Sequence, residues 1–139
     1  MKPENQAPKA LKVKAWKMMS ELVRRKYADN NGDCECYTCG KTLPWRHIQA
    51  GHGISGRGNF ILFLEEVIKP QCSTCNVMRG GDYNHFIPKL IEEYGLGTFT
   101  EWVYDSRKPF KRTKKDYIAL IHELEARLVD LEGLSLIHI

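Results

Sequence analysis

No apolar stretch in this sequence is long enough to cross a membrane. The longest, residues 60–64, is a fraction of the roughly 20 residues that a spanning helix needs. The opening Met1-Lys2-Pro3-Glu4-Asn5-Gln6 lacks the hydrophobic centre of a secretory leader, so a cytoplasmic protein without membrane contact is expected. Internal repeats are missing too, which excludes solenoid and propeller arrays. A strong charge imbalance is also absent: 21 basic against 17 acidic side chains leave a net charge of +4, too mild alone to imply a polyanionic partner. The length, 139 residues, supplies one modest core and not two, so residues 1–139 read as a single domain.

What is there is unevenly distributed. Six basic residues fall between positions 107 and 115: Arg107, Lys108, Lys111, Arg112, Lys114 and Lys115. A second group is Lys9, Lys12, Lys14, Lys17, Arg24, Arg25 and Lys26. Clustered cations suit a polyphosphate, although solvated helix faces explain the same runs.

The coarse reading is α+β. Residues 1–9 form a lead-in, and residues 10–29 an amphipathic helix with Ala15, Trp16, Met19, Leu22, Val23 and Tyr27 at helical spacing. Asn30-Asn31-Gly32-Asp33 is a turn, and 34–50 is an interrupted, cysteine-rich hairpin region. Residues 51–59 hold four glycines and read as a loop, 60–64 as a strand, and 67–68 as a short extended piece. A helix over 82–94 ends at Gly95, and 99–104 is a short packed segment. Thr113 and Asp116 open a capping box. The helix behind it carries Tyr117, Ile121, Leu124, Leu128 and Leu131 and stops at Gly133. An N-terminal helix (10–30), a stapled core (34–82) and C-terminal helices (83–132) result.

Five cysteines are present, and a reducing cytosol argues against disulfides. Four fall in two Cys-x-x-Cys pairs, Cys36/Cys39 and Cys72/Cys75. Four thiolates at this spacing favour tetrahedral Zn²⁺. Such a site has no open position, so the zinc is structural, a staple for a thin core. The competing readings are a redox pair and buried free thiols. Cys34 could replace Cys36 but has the poorer spacing.

Between and after these pairs stand Ala50-Gly51-His52, Arg57-Gly58-Asn59, Phe63 with Glu65 and Glu66, and Gln71-Cys72-Ser73-Thr74-Cys75-Asn76. This resembles the phage HNH endonucleases of the treble-clef, ββα-metal (His-Me finger) type, akin to phage endonuclease VII. It is most similar to the lambda NinG (Rap) recombination nucleases, over roughly residues 12–131. The resemblance implies a metal-dependent DNA endonuclease that cuts branched recombination intermediates in the host bacterial cytoplasm. It implies His52 as general base and Asn76 as ligand of a catalytic Mg²⁺ or Mn²⁺, with the zinc holding Asn76 in place through Cys75. Gly51 stands where many HNH proteins carry a metal-binding Asp or His, and Val67 where the middle Asn is common. Asp82 stands where the family often has Asn. Candidates to complete the ion's shell are His52, Glu65, Asp82 and water.

Each assignment has a plainer rival. Asn76 could be a helix N-cap, and Arg57 a solvated loop residue rather than a phosphate clamp. His47 and His85 read as incidental. Trp16, Trp45 and Trp102 read as packing residues. With a phosphodiester substrate, the 107–115 run becomes a DNA-backbone contact. The alternative function is a non-catalytic zinc-knuckle DNA-binding protein. A protein-interaction adaptor using the 117–131 stripe is a third reading, and a homodimer would let two strands be cut in concert.

Overall fold

The computed structural model describes residues 2–56 and 58–137, with side chains described as far as Gly133. Arg57, the proposed phosphate clamp, lies outside the described residues.

The chain is α+β, with two small antiparallel sheets between long helices. Helix α1 (Pro8–Lys26) starts on a proline, whose missing N–H matters little in a first turn. It buries Leu11, Ala15, Met19, Leu22 and Val23. The C-terminal helix (Lys114–Ile137) packs along it through Tyr117, Ile121 and Leu124, with Phe63 and Ile68 closing that core. Each such side chain contributes about 1.5–3 kcal/mol on burial. The capping box forms as expected: Thr113 N–H donates to Asp116 Oδ2 at 2.8 Å, and Asp116 N–H to Thr113 Oγ1 at 3.2 Å. The expected stop at Gly133 does not occur, and the helix runs on to Ile137. A glycine inside an exposed helix costs only about 1 kcal/mol, which helical neighbours override.

Strands β1 (Asp33–Glu35) and β2 (Thr42–Pro44) make the expected hairpin. Strand β3 (Gln49–His52) pairs with β4 (Ile68–Gln71), setting Gly51 against Lys69 and His52 against Ile68. The glycine-rich stretch therefore begins inside a strand, not a loop. Residues 60–64, expected as a strand, belong instead to a short helix, α2 (Asn59–Leu62), and its exit. The side chains explain this. Phe60, Ile61 and Leu64 join one core, while Leu62 and Phe63 join the other. That is helical partition, not strand alternation.

A 3-10 turn (Glu65–Val67) leads into β4, and a π-helical turn (Thr74–Met78) leads out of it. Helix α3 (Tyr83–Tyr94) follows, then α4 (Leu96–Ser106), with the C-terminal helix becoming α5. The 99–104 segment is thus a full helix. Its Phe99, Trp102 and Val103 pack with Ile54, Ile61, Phe86 and Leu90 in a second core.

Two polar side chains lock these layers. The buried Lys69 ammonium donates to the Tyr27 and Tyr94 hydroxyls, each at 2.9 Å, and to Glu93 Oε1 at 3.3 Å. Glu65, a candidate ion ligand by sequence, is committed elsewhere. Its carboxylate accepts from Arg127 of α5 at 2.5 and 2.8 Å and from Lys26 of α1 at 2.7 Å. The hydrogen bonds from Arg127, reinforced by Lys26, hold this carboxyl at about 2, well below its ordinary 4.5. The stabilisation is therefore complete above pH 4.5 and is lost as pH falls toward 2. Glu65→Gln is expected to lower the thermal midpoint at pH 7, with the gap to wild type closing near pH 2.5. An equal gap at both pH values would refute this assignment.

Among the described residues, no helix is long and apolar enough to cross a membrane.

Candidate metal centre and cleft

The two cysteine pairs meet. Cys36 and Cys39 sit on the turn of the β1–β2 hairpin, where Gly40 takes a φ of +80° and its N–H closes on Cys36 O at 2.9 Å. Cys72 follows β4, and Cys75 lies in the π-helical turn. All four sulfurs lie within 4.8 Å of one another, with Cys39 and Cys72 at 3.7 Å. Four bonds of 2.3 Å to one zinc ion place tetrahedral sulfurs about 3.8 Å apart, so this cluster could hold a metal ion such as zinc. Burial pushes the Cys36 thiol up, but hydrogen bonds from the Cys72 N–H (3.3 Å) and Thr38 outweigh it and bring it to about 6. Cys34 stays outside the cluster. Its thiol donates to Arg24 O at 2.9 Å, and burial raises it to about 11, so it remains protonated.

Asn76 follows Cys75 directly. It lies within the π-helical turn rather than at its start, which removes the N-cap reading. Its Nδ2 donates to Gln49 Oε1 at 2.8 Å, leaving Oδ1 turned toward Gly51, where a Cβ would lie 2.9 Å from it. Gly53 is equally tight: a Cβ there would fall 2.3 Å from Leu90 and 2.7 Å from Phe86. These two glycines let the π-helical turn and α3 approach one face of β3.

His52 faces the other way, because successive residues of a strand point to opposite sides. Its ring stacks on Trp16 of α1, centroids 4.8 Å apart. Its Nε2 lies 3.2 Å from Leu62 O. A carbonyl can only accept, so the neutral ring carries its proton on Nε2 and leaves a lone pair on Nδ1. Burial, only partly offset by that carbonyl, lowers the His52 pKa below the ordinary 6.5 and favours the neutral ring. His52 and Lys12 line a cleft of about 290 Å³ with Gly56, Gly58, Ile61 and Leu62. Lys12 and Trp16 are one helical turn apart, so α1 furnishes a cation to the cleft and an aromatic partner to the His52 ring. Val67, which stands where the middle Asn of HNH proteins is common, is fully buried, and its carbonyl accepts from Gly53 N–H at 2.8 Å.

Asp82, a second candidate ion ligand, opens α3 at a φ of 49°. One carboxylate oxygen meets His85 Nδ1 at 2.9 Å, and the other is buried on the side of Cys75, whose thiol also favours the ionised carboxylate. The His85 hydrogen bond holds Asp82 below the usual carboxylate range.

The basic groups divide. Arg24 donates to Ser20 O and Trp45 O, Arg25 pairs with Glu21 and Glu132, and Lys26 with Glu65. These cations serve the fold. In the 107–115 run, Lys108 pairs with Asp105, while the Arg112 guanidinium lies over Phe63 and Phe110 and donates to Asn59 O. Arg107, Lys111 and Lys115 are exposed, and Lys114 is half-buried. Asn59 joins this run to the cleft: it accepts from Lys12 Nζ at 2.7 Å and donates to Phe110 O at 3.4 Å. Sequence reasoning pooled Lys12 with other lysines and missed the Trp16 stack. The i, i+4 spacing of these two residues was the available signal.

A family model described as "Bacteriophage Lambda NinG protein" matches residues 3–133. No curated protein matches the chain, and no solved structure matches it.

Proposed function

The chain belongs to the bacteriophage lambda NinG protein family, and on that footing we propose that it is a metal-dependent DNA endonuclease of the HNH type acting on branched recombination intermediates in the host cytoplasm. The observation that carries this reading is His52. It is held by Leu62 O and Trp16 with Nδ1 unengaged by any described hydrogen bond, in a cleft with Lys12.

Phosphodiester hydrolysis needs a deprotonated water, a neutralised phosphorane and help for the departing 3′ oxygen. His52 Nδ1 takes the water proton. Lys12 faces the phosphate, and Lys111 and Lys115, in the run whose Phe110 and Arg112 bond Asn59 beside Lys12, follow the flanking backbone. A Mg²⁺ or Mn²⁺ at Asn76 would supply charge neutralisation at the scissile group. Zinc in the cysteine cluster would fix Asn76 mechanically, since Cys75 is its covalent neighbour. A homodimer would let two strands be cut together.

One observation favours a second reading, a non-catalytic zinc-stapled DNA-binding protein: β3 turns His52 and the Gly51 side to opposite faces. Cleavage of labelled linear duplex, flap and four-way junction with Mg²⁺ or Mn²⁺ separates the two. The nuclease reading expects metal-dependent cutting, strongest on the junction. Binding of all three without cutting by either ion would leave the binding module.

A further inference from the structure

We propose that Gln71 is a ligand of the divalent ion, its side-chain oxygen taking the place that a carboxylate on residue 51 would occupy. This rests on the reading above, in which Asn76 holds such an ion.

Gln71 is the last residue of β4, and its side chain is fully buried. Its Nε2 donates to Gly81 O at 2.7 Å and to Thr38 Oγ1 at 3.1 Å. Both amide hydrogens are thus spent, and turning the group over would set an oxygen against the Gly81 carbonyl. The orientation is therefore fixed, and Oε1 points where no described donor reaches it. A buried acceptor without a donor is uncommon and calls for an occupant.

That oxygen lies 2.1 Å from where a Cβ on Gly51 would stand, and Asn76 Oδ1 lies 2.9 Å from the same point. The two oxygens are then at most 5.0 Å apart, the sum of those distances. Asn76 adds a second oxygen: its Nδ2 donates to Gln49 Oε1 at 2.8 Å, which sets Oδ1 toward Gly51. Two carboxamides present their oxygens to one bare α-carbon. Amide oxygens are hard donors suited to Mg²⁺ or Mn²⁺. Any side chain on residue 51 would collide with Gln71 Oε1. Glycine at 51 therefore leaves open, beside β3, the space that the Gln71 oxygen of β4 occupies.

The test uses zinc-loaded protein and Mn²⁺ binding read from loss of the free-ion electron paramagnetic resonance signal. Wild type is expected to bind Mn²⁺, and Gln71→Ala to bind at least about tenfold more weakly. Gly51→Asp alone, crowded by Gln71, is expected to bind no better than wild type. Gly51→Asp with Gln71→Ala is expected to regain affinity, since the carboxylate enters the vacated space; a purely structural Gln71 predicts no such rescue. If Gln71→Ala does not fold, the wild type still decides. Diamagnetic Mg²⁺ is expected to shift the side-chain carbonyl ¹³C resonance of Gln71 together with that of Asn76, and a shift of Asn76 alone would overturn the Gln71 assignment. Wild-type binding that Asn76→Ala weakens but neither Gln71 variant alters would overturn the Gln71 assignment and spare the ion reading. No Mn²⁺ binding by wild type would overturn both.

Discussion

Zinc is expected to fill the four-cysteine cluster, and stripping it to unfold the middle of the chain while the α1–α5 pair stays helical. The small sheets have two strands each, and isolated two-stranded sheets are marginal in water. Among the described residues, only Cys34 and Ile48 join Cys36, Cys72 and Cys75 as buried apolar groups there, with Ala28, Leu43 and Trp45 partly buried around them. Structural zinc contributes on the order of 10 kcal/mol of apparent binding free energy at neutral pH, comparable to the whole stability of a small domain. By contrast, the α1–α5 core takes only Phe63 and Ile68 of its buried residues from the middle of the chain and includes no cysteine. A strong chelator, or Cys72→Ser, should abolish the zinc content of one ion per chain and lower the thermal midpoint steeply. Near-ultraviolet circular dichroism should collapse while much of the helical far-ultraviolet signal survives. An unchanged melting curve after verified metal removal would sink the staple.

The contrast between these regions tracks what the sequence made readable. The cysteine cluster was legible because thiolate chemistry and spacing are local properties. Helices α1 and α5 were legible because long amphipathic stripes repeat over many turns, and the Thr113–Asp116 box because its two bonds span three residues. Residues 60–64 misled because five consecutive apolar residues serve two cores at once, and no periodicity shows in so short a run. Helix α4 was hidden because three residues, Phe99, Trp102 and Val103, carry its whole buried stripe. At the candidate site, His52 was singled out by its setting, but as part of an open loop. Its strand position and its place against Trp16 depend on α1, more than thirty residues upstream. Glu65 drew notice as an acid near the motif, and only its partners from α1 and α5 show that it is an interhelical tie.

The remaining large effect concerns His52 itself. His52→Ala is expected to reduce metal-dependent cleavage by about 10²–10⁴-fold, the range for loss of a positioned general base, with DNA binding unchanged. Binding should persist because the exposed Lys111 and Lys115 lie outside the substitution. The pH profile gives a second, independent reading. Burial lowers the His52 pKa below 6.5, so the unprotonated base is already dominant at neutral pH. Cleavage should therefore hold steady as pH drops from 8 to near 6.5 and decline only below it. Trp16→Ala opens the ring to water and weakens the desolvation that lowers this pKa. Its acid limb should accordingly move up toward the ordinary histidine value, with a smaller loss of rate than His52→Ala. Lys12 is the one charged side chain among the described residues lining the cleft, so Lys12→Gln should weaken substrate binding and leave the acid limb where it is. If His52→Ala cuts as fast as wild type, the base lies elsewhere. If the acid limb ignores Trp16, the titrating group is not the ring stacked against it.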